Sequence, residues 1–128
     1  MSRQMHIFVD TEESLEDFIQ MLESLLGMSA HLHSEDREVW YELQNASMFF
    51  SVGTHEYVND RDMLFESYLY DIEMSVTDIK DGEERLRRLK QVARSLFDTL
   101  KQSQHYQLML VDDLQVKLDE FHSRGTMP

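Results

Sequence analysis

The nine residues YLYDIEMSV, Tyr68 to Val76, alternate apolar and polar side chains. A period of two is the mark of a β-strand, with Tyr68, Tyr70, Ile72, Met74 and Val76 on one face and Asp71, Glu73 and Ser75 on the other. A strand patterned this way is buried on one side only, which is the habit of antiparallel sheets with one covered face. The cover has to come from elsewhere in the chain.

Downstream, Asp78 to Gly82 reads as a turn, and Asp81 with Glu84 three residues on resembles a capping pair. Leu86, Leu89, Ala93, Leu96, Phe97 and Leu100 then recur at helical spacing, with Arg87, Lys90, Arg94 and Lys101 on the wet side. Tyr106 to Val111 and Leu114 to Leu118 are strand-like and joined by Asp112 and Asp113. Without a glycine at that joint, a hairpin and one long bulged strand both remain open. Residues 122–128 read as a frayed tail.

Upstream, Met5 to Val9 forms a short apolar run that suits a strand. Leu15, Phe18, Ile19, Leu22, Leu25 and Leu26 define one face of a helix, with Thr11 or Ser14 as its cap and Gly27 as its stop. Ala30 to His33, Glu38 to Leu43 and Met48 to Val52 are short strand candidates. Their linkers are too short for a crossover helix, so they form an antiparallel meander. Gly53 to Phe65 is a longer, irregular and acidic connection. The expectation is an α+β domain, residues 1–128, with a mainly antiparallel sheet of about five or six strands packed against two helices.

The chain has 128 residues, 41% of them hydrophobic, enough for one core. Its net charge of −13 is unevenly distributed. Residues 1–77 hold Arg3, Arg37 and Arg61 against sixteen acids, whereas residues 78–128 hold nine basic and nine acidic residues. Residues 78–121 therefore form a nearly charge-neutral part with a basic helix. Such acidity argues against nucleic acid, which needs clustered Lys and Arg, and against an anionic membrane surface. No cysteine is present, so disulfides, thiolate nucleophiles and thiolate zinc sites are excluded. No apolar run approaches a membrane span, and Met1 to Asp10 does not read as a secretory leader, so the expected compartment is the cytoplasm.

Enzymatic motifs are missing. Gly27, Gly53, Gly82 and Gly125 are too far apart for a phosphate loop, and no G-x-S-x-G elbow occurs. His31 and His33 are two apart on a possible strand, and with His55 they form the alternative of a metal site. His6, His105 and His122 have no partner pattern and are placed at element ends. The reading is of a protein that is not an enzyme and uses no cofactor or metal.

An anionic face without catalytic motifs suits capture of a basic protein, because opposite potentials steer encounter. The candidate residues are Glu12, Glu13, Glu16, Asp17 and Glu23 on the first helix, and Tyr57, Asp60, Asp62 and Glu66 in the long connection. The competing reading of the helix acids is a solvated face favoured by the helix dipole.

The segments MHIFVDTEESLEDFIQMLESLLG, VWYEL, MFFSV, YLYDIEMSV, EERLRRLKQVARSLFDTL and LMLVDDLQVKLDEF together resemble the small α/β immunity proteins of bacterial contact-dependent growth inhibition and related polymorphic-toxin systems. The resemblance rests on size, acidity and element order. It implies a cytoplasmic antitoxin that neutralises one cognate toxin, commonly a nuclease, by occluding its active site. Two alternatives stand beside it: an acidic adaptor or regulatory subunit that forms a weak homodimer through its basic helix, and a metal-dependent enzyme using His31, His33 and His55.

Overall fold

The six residues Met5–Asp10 form β1, which lies at the inside of the sheet with β5 (Tyr70–Val76) on one side and β6 (Gln107–Asp112) on the other. A computed structural model describes residues 4–123. Outward from β5 lie β4 (Met48–Thr54), β3 (Glu38–Gln44) and β2 (Ala30–Glu35), and outward from β6 lies β7 (Val116–Phe121). The order is β2-β3-β4-β5-β1-β6-β7, and every neighbouring pair is antiparallel. The α+β architecture with a mainly antiparallel sheet is thus as expected, with seven strands instead of five or six.

Two helices cover one face. In α1 (Leu15–Leu26), the Ser14 hydroxyl accepts the Asp17 amide at 3.1 Å, and Gly27 at φ 67° ends the helix in the left-handed region that glycine tolerates best. In α2 (Gly82–Ser103), Asp81 accepts the Glu84 amide at 2.9 Å, so Ser14 and Asp81 are the caps. Phe18, Ile19 and Leu22 of α1 and Leu89, Ala93, Leu96, Phe97 and Leu100 of α2 bury against Met5, Ile7 and Val9 of β1 and against Tyr70, Ile72, Met74 and Val76 of β5. Leu25, expected on the buried stripe, is 41% exposed, in a shallow groove with α2.

The other face was expected to be wet, and its centre is not. Phe8, Met109 and Val111 form a second core with Met63, Phe65 and Tyr68 from the connection 55–69. Alternate residues of a strand point to opposite faces, so the connection and the helices sandwich β1 between them. Tyr68 belongs to this second core and not to the helix-facing row, because it precedes β5, following the 3₁₀ turn Phe65–Ser67.

The C-terminal segments form a hairpin. Asp113 and Leu114 occupy the left-handed region at φ 53° and 61°, the twist-matched pattern for a two-residue loop, and Gln115 donates back to the Asp112 carbonyl at 3.0 Å. A register irregularity between Leu110 and Val111 adds the bulge. The expected fraying does not begin at residue 122: Ser123 is buried, its hydroxyl donates to the Gln104 carbonyl, and His122 lies 3.0 Å from Gln107 Oε1. Residues 124–128 of that tail lie outside the described residues.

Phe65 is 3% exposed, with its ring centroid 4.9 Å from that of Phe8. Phe65→Ala is expected to lower stability by about 3 kcal/mol or more and to raise amide hydrogen exchange across residues 55–69. A loss below about 1 kcal/mol in urea unfolding, with exchange unchanged, would show that the connection is not packed as described.

Candidate functional site

On the sheet face opposite the helices, β1 presents His6 and Phe8 beside Asp71 and Glu73 of β5. His6 is fully buried, with its Nδ1 2.9 Å from Asp71 Oδ1 and its ring stacked on Phe8 at 5.7 Å. Its Nε2 has no hydrogen-bond partner among the described residues. Glu73, opposite His6 in register, accepts the Gln4 side-chain amide at 2.8 Å. Burial pushes the Glu73 carboxyl above the ordinary glutamate value of 4.5 and the Asp71 charge adds to the rise, while His6 and the Gln4 hydrogen bond oppose it.

Beyond β5 the face opens into a cavity of about 300 Å³. Gly53 of β4 is paired with Asp71 on one side and Trp40 of β3 on the other. A Cβ at Gly53 would stand 3.1 Å from the Trp40 Cβ, so glycine lets the two strands carry the indole and the carboxylate with open space between. The Trp40 indole N–H donates to Glu42 at 2.9 Å, and His33 stacks on the indole at 5.8 Å while contacting the same carboxylate at 3.1 Å. Glu38, Ser51, His55, Glu56, Tyr57, Asp71 and Glu73 complete much of the wall.

His55 orders the start of the connection. It donates from Nε2 to the Tyr68 carbonyl at 2.7 Å and accepts the Tyr57 amide at Nδ1, 3.1 Å away, so its partners define its tautomer. Tyr57 stacks on it at 5.4 Å. Burial raises the Tyr57 phenol above its ordinary pKa, and the charges of Asp71 and Glu73 raise it further. A second cavity, about 430 Å³, adjoins the first along Thr54 to Tyr57 and is closed by Asp10, Glu66, Tyr68 and Leu69.

Sequence reasoning found part of this site. Tyr57 borders both cavities, and Glu66 lines the second, where it exchanges two hydrogen bonds with Asn59 at 2.9 and 3.0 Å. Asp60 and Asp62 are exposed, with Asp62 3.8 Å from Lys117. Of the acids expected on the first helix, Glu16, Asp17 and Glu23 lie on α1, and Glu12 and Glu13 precede its Ser14 cap. Glu12, Glu16 and Asp17 are exposed, but Glu13 takes the Tyr106 hydroxyl at 2.9 Å and Glu23 the Ala30 amide at 2.8 Å, so these two hold the fold together. Of this group only Glu12 and Glu13 reach the Asp10 end of the sheet.

The set His31, His33 and His55 does not assemble. Both ring nitrogens of His55 are engaged, His33 binds Glu42, and His31 is exposed on the edge strand. Among the described residues, the group whose ligand atoms lie within 4.8 Å of one another is His6, Asp71 and Glu73. There the 2.9 Å bond between His6 and Asp71 already pairs imidazole Nδ1 with carboxylate Oδ1. His6 was expected at an element end and is the second residue of β1; only the β1–β5 register reveals its partners.

Glu73 in the folded protein holds its proton more tightly than in the unfolded chain, so its contribution to stability falls as pH rises from 4.5 through the raised value. Glu73→Gln should flatten that decline in urea midpoints taken between about pH 4 and 7, and a decline of unchanged slope would mean that burial does not penalise this carboxylate. No family model matches the chain, nor does any curated protein or solved structure.

Proposed function

We propose that this chain is an immunity or antitoxin protein, a cytoplasmic inhibitor that binds a basic toxin domain and occludes its active site. A nuclease is the fitting class of toxin, because a cleft that attracts phosphates is positive and an acidic surface can take the place of its substrate. The observation that carries the reading is the lining of the two adjoining cavities. Asp10, Glu38, Glu56, Glu66, Asp71 and Glu73 contribute to it, and among the described residues no Lys or Arg does. Trp40 and Tyr57 stand among these acids, and aromatic side chains of this kind anchor protein interfaces. The absence of catalytic motifs in the sequence leaves the acidic face as the feature that needs a purpose.

Docking of α2 on the acidic face of a second copy fits the geometry less well. The basic helix and the connection lie on opposite faces of the sheet. Such a contact would be head-to-tail and open-ended, unlike the closed pairing of ordinary dimers.

A secreted toxin whose coding region ends just upstream supplies the partner for the test, as a catalytically inactive C-terminal domain. The double variant Glu56→Lys, Asp60→Lys changes only exposed positions. It should slow association about tenfold or more at low ionic strength, with the difference narrowing as salt rises. If no toxin domain encoded beside this chain binds it, the antitoxin reading fails. If the double variant binds as fast as the native chain at every salt concentration, the acidic face is not the docking surface.

A further inference from the structure

We propose that the cavity over Gly53 receives an arginine side chain of the basic partner, with the guanidinium lying along the Trp40 indole and bonded to Asp71 and Glu73. The inference rests on the antitoxin reading for the identity of the partner, but the chemistry of the cavity stands on its own residues.

Four properties of the cavity select that group. Its volume of about 300 Å³ is at the small end for ligand sites and suits one long side chain better than a cofactor. One wall is Trp40, whose orientation is fixed by Glu42 and His33 before any ligand arrives. A tryptophan face attracts cations more strongly than other aromatics do. Opposite stand two carboxylates, each with one oxygen engaged: Asp71 Oδ1 with His6 and Glu73 Oε1 with Gln4. Their second oxygens, Oδ2 and Oε2, have no hydrogen-bond partner among the described residues and remain able to accept.

The choice of arginine over lysine or a metal ion follows from shape and charge. A guanidinium is planar, so it can stack on an indole while its forked N–H groups reach two acceptors, and it keeps its charge when desolvated. An ammonium offers a point charge and no plane. A metal ion would need His6 as a third ligand, and His6 does not line the cavity. Glu38 and Glu56, both exposed and both in the lining, give the cavity an acidic rim that a basic protein surface would meet first. Charge complementarity therefore favours a protein-borne cation over a free small molecule.

Trp40 is the single tryptophan of the chain, so its fluorescence reports on the cavity without knowledge of the partner. The probes are Nα-acetyl-arginine methylamide and its lysine and citrulline counterparts. The arginine compound should give a saturable change with a dissociation constant on the order of millimolar, the lysine compound a weaker one, and the neutral citrulline compound none. Glu73→Gln, nearly isosteric, should weaken the arginine compound about tenfold without lowering the urea midpoint. Glu38→Gln at the exposed rim, which cannot disturb the core, should weaken it about twofold. The proposal is overturned if the arginine compound gives no saturable change, if the citrulline compound matches it, or if neither variant alters its affinity.

The toxin-domain experiment separates this proposal from the reading it rests on. Retained toxin binding without an arginine response removes the arginine slot and leaves the antitoxin. An arginine response without any toxin binding keeps the slot and removes the antitoxin.

Discussion

The fold depends on one constraint: β1, six residues long, sits inside the sheet with both of its faces out of water. Met5, Ile7 and Val9 point into the helix layer, and His6 and Phe8 point the other way. An antiparallel sheet with helices on one side ordinarily leaves its other side to solvent. Here Phe8 is fully buried and needs a second cover. The connection supplies it by folding Met63, Phe65 and Tyr68 back across β1 and β6. That backfolding explains why residues 55–69 are irregular yet ordered by specific bonds, such as His55 to the Tyr68 carbonyl and Asn59 with Glu66. It also creates the cavities, one where the connection stops short of β3 and β4 and the other between the two ends of the connection itself.

Legibility in the sequence followed the range of the forces involved. Helix caps, stops and stripes are local, so α1 and α2 could be read with their caps at Ser14 and Asp81 and the left-handed stop at Gly27. Strand pairing is not local. Nothing between Met5 and Val9 tells that His6 will face Glu73, because the two are brought together only when β1 pairs with the distant β5. The same limit explains Tyr68, which continues the alternation of β5 in sequence but is turned to the opposite side by the 3₁₀ turn before it. In the C-terminal hairpin the missing glycine was a misleading signal. Asp113 and Leu114 adopt the left-handed turn anyway, since β6 and β7 pair over most of their length and hold it closed.

The acids divide into two kinds that composition cannot separate. Glu13 and Glu23 are structural: one receives a buried tyrosine hydroxyl, the other the amide that starts β2. The hydrogen bond to Glu13 works with burial to raise the Tyr106 phenol far above its ordinary pKa, so the pair stabilises the fold only while the phenol keeps its proton. Asp71 and Glu73 are of the other kind. They contribute little that an apolar pair could not, since burying a charged group carries a desolvation cost that its partners rarely exceed. Their placement makes sense if the charge is held in readiness for something outside the chain.

Readiness is the common thread between the energetics of the fold and the proposed function. A surface carboxylate must shed water when a cation binds, and much of the Coulomb gain is lost in doing so. Asp71 is already buried and Glu73 partly so, hence that cost falls on folding and not on binding. His6 makes this tolerable by pairing with Asp71 from beneath the connection, while Gly53 keeps the opposite approach open. Of the sixteen acids in the first 77 residues, Asp71 and Glu73 are thus fixed in a low-dielectric recess and Glu38 and Glu56 stand on its rim. On the proposed reading the rim would draw a basic surface in at long range and the recess would recognise one cation at contact, so that speed and specificity would fall to different residues of the same face.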